Sequence, residues 1–206
     1  MIRNIVFDFG NVLIHFEPLY MAGMYAHTEE DARLLAEVVF DRLYWDHLDS
    51  GTITDGEVVS LCKERLPERL HTAAEQIYYN WIYNLPEIEG MRALLKWLRD
   101  KYGIPLYLLS NISEYFAIHS DEIPILGLFD KCIFSAVVGR TKPSKEMFSY
   151  LCTECNVLPE ETLFVDDSEK NIEGARAFGI NAYLFDGDSE RLKKYIEENF
   201  MIEAQK

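Results

Sequence analysis

The sequence predicts an α/β protein: a doubly wound, Rossmann-like parallel sheet core with an inserted all-helical cap domain. Three observations carry this. Five short runs rich in Val, Ile, Leu, Phe and Tyr recur at Asn4–Phe9, Pro105–Ser110, Lys131–Ser135, Thr162–Val165 and Ala182–Phe185. They are nearly continuous in apolar character, as strands buried on both faces of a parallel sheet are. Amphipathic helical stretches separate the later runs, and strands alternating with helices define a doubly wound sheet. Residues 15–84 interrupt that alternation with helical patterns alone. The expected organisation is therefore a core of residues 1–14 and 85–206, with a cap inserted at 15–84.

In chain order, the first strand leads straight into Gly10-Asn11 and then into the insertion. There, helices are expected at Thr28–Asp41, with Leu34, Leu35, Val38 and Val39 on one face, at Thr54–Leu66, and at His71–Tyr83. Phe16-Glu17-Pro18 and Pro86 are the expected hinge segments. Glu89–Tyr102 places Met91, Leu94, Leu95 and Leu98 on one face, and Gly103 and Pro105 follow its end. Ser144–Cys155 follows Pro143. Glu169–Phe178 stops at Gly179, a residue suited to the left-handed turn that closes a helix. Ser189–Asn199 carries Leu192, Tyr195 and Ile196 on its apolar side.

Composition excludes several classes. The 206 residues, 49% hydrophobic and 27% charged, suffice for one full core and a small appendage. A net charge of −15, from 20 basic and 35 acidic residues, argues against nucleic-acid and anionic-membrane surfaces. It leaves room for a small anionic substrate, because a divalent cation and one placed lysine reverse the local field. No apolar run approaches the ~20 residues that span a bilayer. Met1-Ile2-Arg3-Asn4 runs directly into a strand without a leader pattern, so the expectation is a cytoplasmic protein with reduced thiols. Cys152 and Cys155 form a CxxC with no second CxxC to complete a zinc site, and they read as part of one packed helical face.

The strand ends carry the chemistry. In an open parallel sheet, the carboxyl ends of the strands border the ligand crevice. The first run stops at Asp8, which can be a cap, a metal ligand or a covalent nucleophile. The second ends in Ser110-Asn111. Lys142 stands in the loop before Pro143 and the next helix. The fourth run ends in Asp166-Asp167-Ser168. Alone, each has an ordinary structural explanation: Ser110-Asn111 and the acidic pair as helix N-terminal caps, Lys142 as a solvated loop residue. Four such features in order at strand ends are not explained that way.

Asp8, Ser110, Lys142 and Asp166/Asp167, in that order and spanning nearly the whole chain, resemble the four motifs of the haloacid dehalogenase-like hydrolase superfamily. The helical insertion resembles that of its helical-cap subgroup. The resemblance implies that Asp8 is a nucleophile forming an aspartyl-phosphate, and that Ser110, Asn111 and neighbouring N–H groups hold the phosphoryl oxygens. It implies further that Lys142 neutralises developing charge. It also implies Mg²⁺ bound by Asp8, the Gly10 carbonyl, Asp167, and Asp166 directly or through water, with Asn171 supporting the acidic loop.

One departure matters. Most phosphatases of the superfamily carry a second Asp two residues after the nucleophile as their acid–base group; here that position is Gly10. Loss of such a group typically costs ~10²–10⁴-fold. Three readings follow. The first is a phosphatase of small phosphorylated metabolites, sugar phosphates with 1-phosphates favoured, since an anomeric hydroxyl is the better leaving group. The Phe-Asp-Phe-Gly-Asn-Val and Val-Asp-Asp-Ser-Glu-Lys-Asn-Ile-Glu-Gly-Ala segments look similar to bacterial phosphatases of glucose 1-phosphate. The second is a 2-haloacid dehalogenase, which the acidic pair disfavours. The third is a weakly active phospho-ligand- or protein-binding member. His15, His47 and Glu17 are the candidates for the missing acid. Trp45 and His47 are expected to face the substrate, Tyr44 to fill the cap core, and part of the Tyr78, Tyr79, Trp81, Tyr83 cluster to line the cleft or a dimer interface. Monomer and homodimer both stand open.

Overall fold

The structure is a computed structural model and describes residues 2–83 and 85–200. Five strands, β1 (Asn4–Phe7), β2 (Leu106–Ser110), β3 (Lys131–Phe134), β4 (Thr162–Asp166) and β5 (Asn181–Leu184), form one parallel sheet in the order β3-β2-β1-β4-β5. All five expected strands are present. The first is shorter than expected because the chain turns directly after Asp8. The Leu13 N–H bonds back to the Phe9 carbonyl at 2.9 Å, and Asn11 rather than Gly10 takes the left-handed conformation, at φ 53. Asn is among the residues that tolerate this.

Within the insertion lie α1 (Pro18–Gly23), α2 (Glu29–Val39), α3 (Arg42–Asp49), α4 (Asp55–Arg65) and α5 (His71–Asn80). Short polar side chains start three of them: Thr28 accepts from the Asp31 N–H, Asp41 from the Leu43 N–H, and Thr54 forms a reciprocal capping box with Glu57. α1 and α3 are additions to the sequence expectation. α3 buries only Trp45, Leu48 and Asp49, so its one face is short and includes a carboxylate.

The remaining helices are α6 (Met91–Tyr102), α7 (Glu114–Ile118), α8 (Ser135–Val138), α9 (Lys145–Glu154), α10 (Glu169–Phe178) and α11 (Ser189–Phe200). α6 lays Met91, Leu94, Leu95 and Leu98 on the sheet, all essentially inaccessible to solvent, and ends at Gly103 in the left-handed conformation. Burying one such side chain stabilises by ~1.5–3 kcal/mol. On the opposite face Val6, Leu109 and Phe164 pack with Met147, Phe148, Leu151 and Ile172 from α9 and α10. Cys152 and Cys155 are free thiols packed against this second cluster, as expected of a helical face. Among the described residues, no helix is long and apolar enough to cross a membrane.

Candidate functional site

β1 lies between β2 and β4, with Phe7 opposite Leu108 on one side and Val165 on the other. One residue on, the Asp8 N–H bonds to the Val165 carbonyl at 2.9 Å. The topology thus brings Asp8, Ser110 and Asp166 to one edge. The Asp8 carboxylate is turned by the Phe9 N–H, which donates to its Oδ1 at 2.7 Å.

Lys142 reaches this edge from the loop before α9. Its backbone is held by Asn111 in both directions: the Lys142 N–H donates to Oδ1 at 2.8 Å, and Nδ2 donates to the Lys142 carbonyl at 3.0 Å. From the other side α10 presses on the loop at Gly174, where a Cβ would stand 2.6 Å from Pro143 Cβ and 2.8 Å from its carbonyl oxygen. Only glycine permits that approach. Lys142 Nζ then sits 2.7 Å from Asp8 Oδ1 and 2.8 Å from Asp166 Oδ2. Asp166 is fully enclosed. Its Oδ1 also accepts from the Ser168 N–H at 2.8 Å, and both oxygens accept from Asn171 Nδ2. Asn171 therefore supports the acidic loop, as the sequence pattern implied.

The electrostatics follow from burial. Burial raises Asp8 to about 7, with Lys142 pulling it down and Asp166 pushing it further up. Asp167 is also raised, by burial and by Asp166, against a hydrogen bond from Asn11 Nδ2 at 3.2 Å. Burial opposes the charge on Lys142, but Asp166 and Asp8 more than offset it and hold the ammonium above its ordinary value. With all three carboxylates ionised, the one ammonium leaves two negative charges. Oxygen atoms of Asp8, Asp166 and Asp167 all lie within 4.8 Å of one another. A hard divalent cation with oxygen ligands, Mg²⁺ above all, fits that donor set and its charge. Asp8 and Asp167 face the cleft and are the carboxylates open to such an ion. Asp166, its oxygens already engaged, orients Lys142 and the loop.

These groups form the floor of a cavity of about 330 Å³. Asp8, Gly10, Ser110, Asn111, Lys142 and Asp167 border it from the core, and Phe16, Arg42, Trp45, Asp49 and Trp81 from the insertion. Trp45 is fixed by its indole N–H, which donates to the Val39 carbonyl at 2.8 Å, and by edge contacts to Phe16 and Trp81. Tyr44 packs against the core beneath the Arg65 guanidinium, away from the cleft.

The structure assembles Asp8, Ser110, Asn111, Lys142, Gly10, Asp167 and Trp45 around one space. It does not bring His47 there. The His47 ring lies on the exposed side of α3, with Nδ1 3.1 Å from Thr52 Oγ1 in its own turn. His15 and Glu17 are likewise exposed and do not border the cavity. Both polar atoms of the Asn111 side chain are spent on the Lys142 backbone, so it positions the lysine. Ser110 caps no helix, since α7 is capped by Ser113. Of the aromatic cluster only Trp81 reaches the cavity. Tyr78 is buried and bonds to Asp55 at 2.8 Å, Tyr79 packs on Tyr78 and Tyr115, and Tyr83 is exposed. Asp49 escaped the sequence reading. The available signal was its spacing, four residues after Trp45 on the face that also holds Leu48.

A carboxylate at a central strand end, paired with a buried lysine and an acidic loop under a helical insertion, defines a hydrolase of one family. The family model described as haloacid dehalogenase-like hydrolase matches residues 2–179, and the chain belongs to that family. It is similar to the D-ribitol-5-phosphate phosphatase of Bacteroides thetaiotaomicron, 28% identical over 199 residues that cover 89% of this chain and 91% of that protein. It is also similar to a phosphorylated carbohydrates phosphatase of Thermotoga maritima, 24% identical over 179 residues, 85% of this chain and 81% of that one. Among solved structures, a HAD family enzyme of Bacteroides thetaiotaomicron in a magnesium complex superposes with a TM-score of 0.67 at 25% identity, covering 93% of this chain and 98% of that one.

Proposed function

We propose that the chain, a phosphoric monoester hydrolase of this family, cleaves small phosphorylated carbohydrates with Mg²⁺ through an aspartyl-phosphate on Asp8. The observation that carries this is the joining of Asp8, Lys142 and the Asp166-Asp167 pair at the floor of one small cavity. A cavity of this size suits a metabolite, and the Trp45 and Trp81 walls suit the faces of a sugar or polyol. The names of both relatives point to the same substrate class. Among sugar phosphates the Gly10 departure favours 1-phosphates for as long as no other acid serves the leaving group.

The chain's own residues divide the work. Asp8 attacks phosphorus. Lys142, pinned between two carboxylates, meets the charge that gathers on the phosphoryl oxygens. The Ser110 hydroxyl offers a further donor to those oxygens. Asn111 and Gly174 hold the lysine loop in place, and Asp166 holds the ammonium. Asp8, Asp167 and the Gly10 carbonyl would hold Mg²⁺, which would supply charge neutralisation between nucleophile and phosphate. A dehalogenase has no use for the doubled acid at Asp166-Asp167, because halide leaves without a cation.

The test is phosphate release from D-ribitol 5-phosphate, glucose 1-phosphate and glucose 6-phosphate, with Mg²⁺ or with EDTA, and with Asp8→Asn as control. Mg²⁺-dependent release lost in the variant is expected. Release that persists in Asp8→Asn, or none from any ester, refutes the reading.

A further inference from the structure

We infer that Asp49, on the cap helix α3, is the general acid–base of this site and fills the role that Gly10 leaves open. The inference rests on the phosphatase reading and names a further residue of the same cavity. Asp49 is 5% exposed and borders the cavity that Asp8 borders. Its Oδ1 is buried and receives no hydrogen bond from the described residues. Buried carboxylates are ordinarily paired, and this one is not. The cation on its own helix, Arg42, is engaged by Asp46 at 2.6 Å instead. Asp49 is also the last residue of α3, where the helix dipole disfavours an anion. No structural role accounts for an acid placed in this way. A proton-transfer role does, since a buried acid open only to the cleft keeps its proton until a substrate oxygen takes it.

The groups acting on Asp49 agree with this. Burial raises it to about 7; Arg42 opposes the rise and Asp46 adds to it from the same helix, while Lys142 opposes and Asp8 adds from the core. Asp167 and Lys170 also border the cavity. A value near neutrality lets one group give and regain a proton in each turnover. The position is held against the core. Two residues on, Gly51 has φ +70, and a Cβ there would stand 2.8 Å from the Ala136 carbonyl oxygen. The turn after Asp49 therefore seats directly on α8.

The step balances. The Asp8 carboxylate bonds to phosphorus, and the bond from phosphorus to the ester oxygen breaks with its electron pair going to that oxygen. The oxygen takes the Asp49 proton and leaves as the alcohol. Water then attacks the aspartyl-phosphate and gives a proton to the Asp49 carboxylate. Its hydroxide oxygen bonds to phosphorus and the Asp8 bond breaks. Phosphate departs with Asp8 ionised and Asp49 protonated, as both began.

The experiment compares Asp49→Asn with the unaltered protein in single turnovers with Mg²⁺. D-ribitol 5-phosphate is the ester of an alcohol that needs a proton, and p-nitrophenyl phosphate releases a phenolate that does not. The variant should lose ~10²–10⁴-fold on the first, and at least tenfold less in the nitrophenolate burst, followed by slow release of phosphate. An equal loss on both esters, or an undiminished rate on the first, overturns the inference. Should the variant not fold, the unaltered protein decides: its ratio of alkyl to aryl rates should fall as pH rises through about 7, and a constant ratio overturns the inference. An unaltered protein that releases phosphate from neither ester refutes the phosphatase reading itself, a result distinct from both.

Discussion

Removing the Asp49 charge should stabilise the protein, and increasingly so as pH rises. In the folded chain burial lifts Asp49 from 3.8 to about 7. The folded state therefore binds this proton more tightly than the unfolded state. Its contribution to stability is fully present below about pH 4 and is lost as pH rises through about 7. A rise of about three pH units corresponds to ~4 kcal/mol at ~1.4 kcal/mol per unit. Asn has nearly the shape of the protonated acid and does not titrate. The stability of Asp49→Asn relative to the unaltered protein should therefore climb by the same amount over that range. The working range lies above the isoelectric point, which is near 4.7. Between pH 5.5 and pH 8 about 2 kcal/mol of the change should remain visible. The assay is equilibrium urea unfolding of both proteins in EDTA at several pH values. Taking the difference cancels every group that titrates alike in the two. Parallel stability curves, or a variant that loses ground as pH rises, refute the claim that this carboxylate is buried without a partner.

Lys142→Met leaves Asp8 and Asp166 buried without their cation, and unfolding in EDTA should show a loss of ~3–5 kcal/mol together with loss of phosphate release; unchanged stability would deny the ion pairs their place. Gly51→Ala sets a side chain 2.8 Å from the Ala136 carbonyl oxygen in a left-handed turn; it should cost ~1–3 kcal/mol and lower kcat on D-ribitol 5-phosphate, whereas full activity would show that the seating of this turn is immaterial. Gly10→Asp placed in the Asp49→Asn background should restore at least tenfold of the lost alkyl-ester rate. Failure to do so, with Mg²⁺ binding intact, would mean that the rate loss is not the loss of a proton donor.

The parts of the fold and site that depend on local chain chemistry were legible in the sequence. The five strands show as apolar runs, and α10 has the expected bounds because Gly179 ends it. Asp8, Ser110, Lys142 and Asp167 stand at strand ends or in the loops just beyond, and sheet topology does the rest. What depends on cross-chain geometry was not legible. Nothing local in Asn111 says that both its polar atoms bond to the Lys142 backbone 31 residues away. Asp166 and Asp167 are adjacent acids of equal appearance. Only the register of β4 turns the first inward against Lys142 and leaves the second on the cleft. His47 and Asp49 are separated by two positions, which on a helix means opposite sides. The helical pattern of α3 is short in the sequence, so only the cap's folding shows that Asp49 is the buried one of the two.

Gly10 itself argues for a division of labour between core and cap. A Cβ built there meets nothing nearer than Phe16 Cβ at 3.8 Å, an ordinary contact, and the residue does not occupy the left-handed region. Neither space nor backbone demands glycine. An acid two residues after the nucleophile would ride on the core and stand ready in every position of the cap. An acid on α3 shares the Asp8 cavity through the seating of the Gly51 turn on Ala136. With Asp49 as proton donor, departure of a poor leaving group requires the seated cap. The seated cap then keeps Asp49 on the cavity for both proton transfers and shields the first from bulk water. Esters whose leaving group needs a proton are thereby held to the closed site, while activated esters are not. The carboxylate that makes this possible is expected to lower the stability of the folded chain at neutral pH, and the same burial that makes it costly would make it a competent acid.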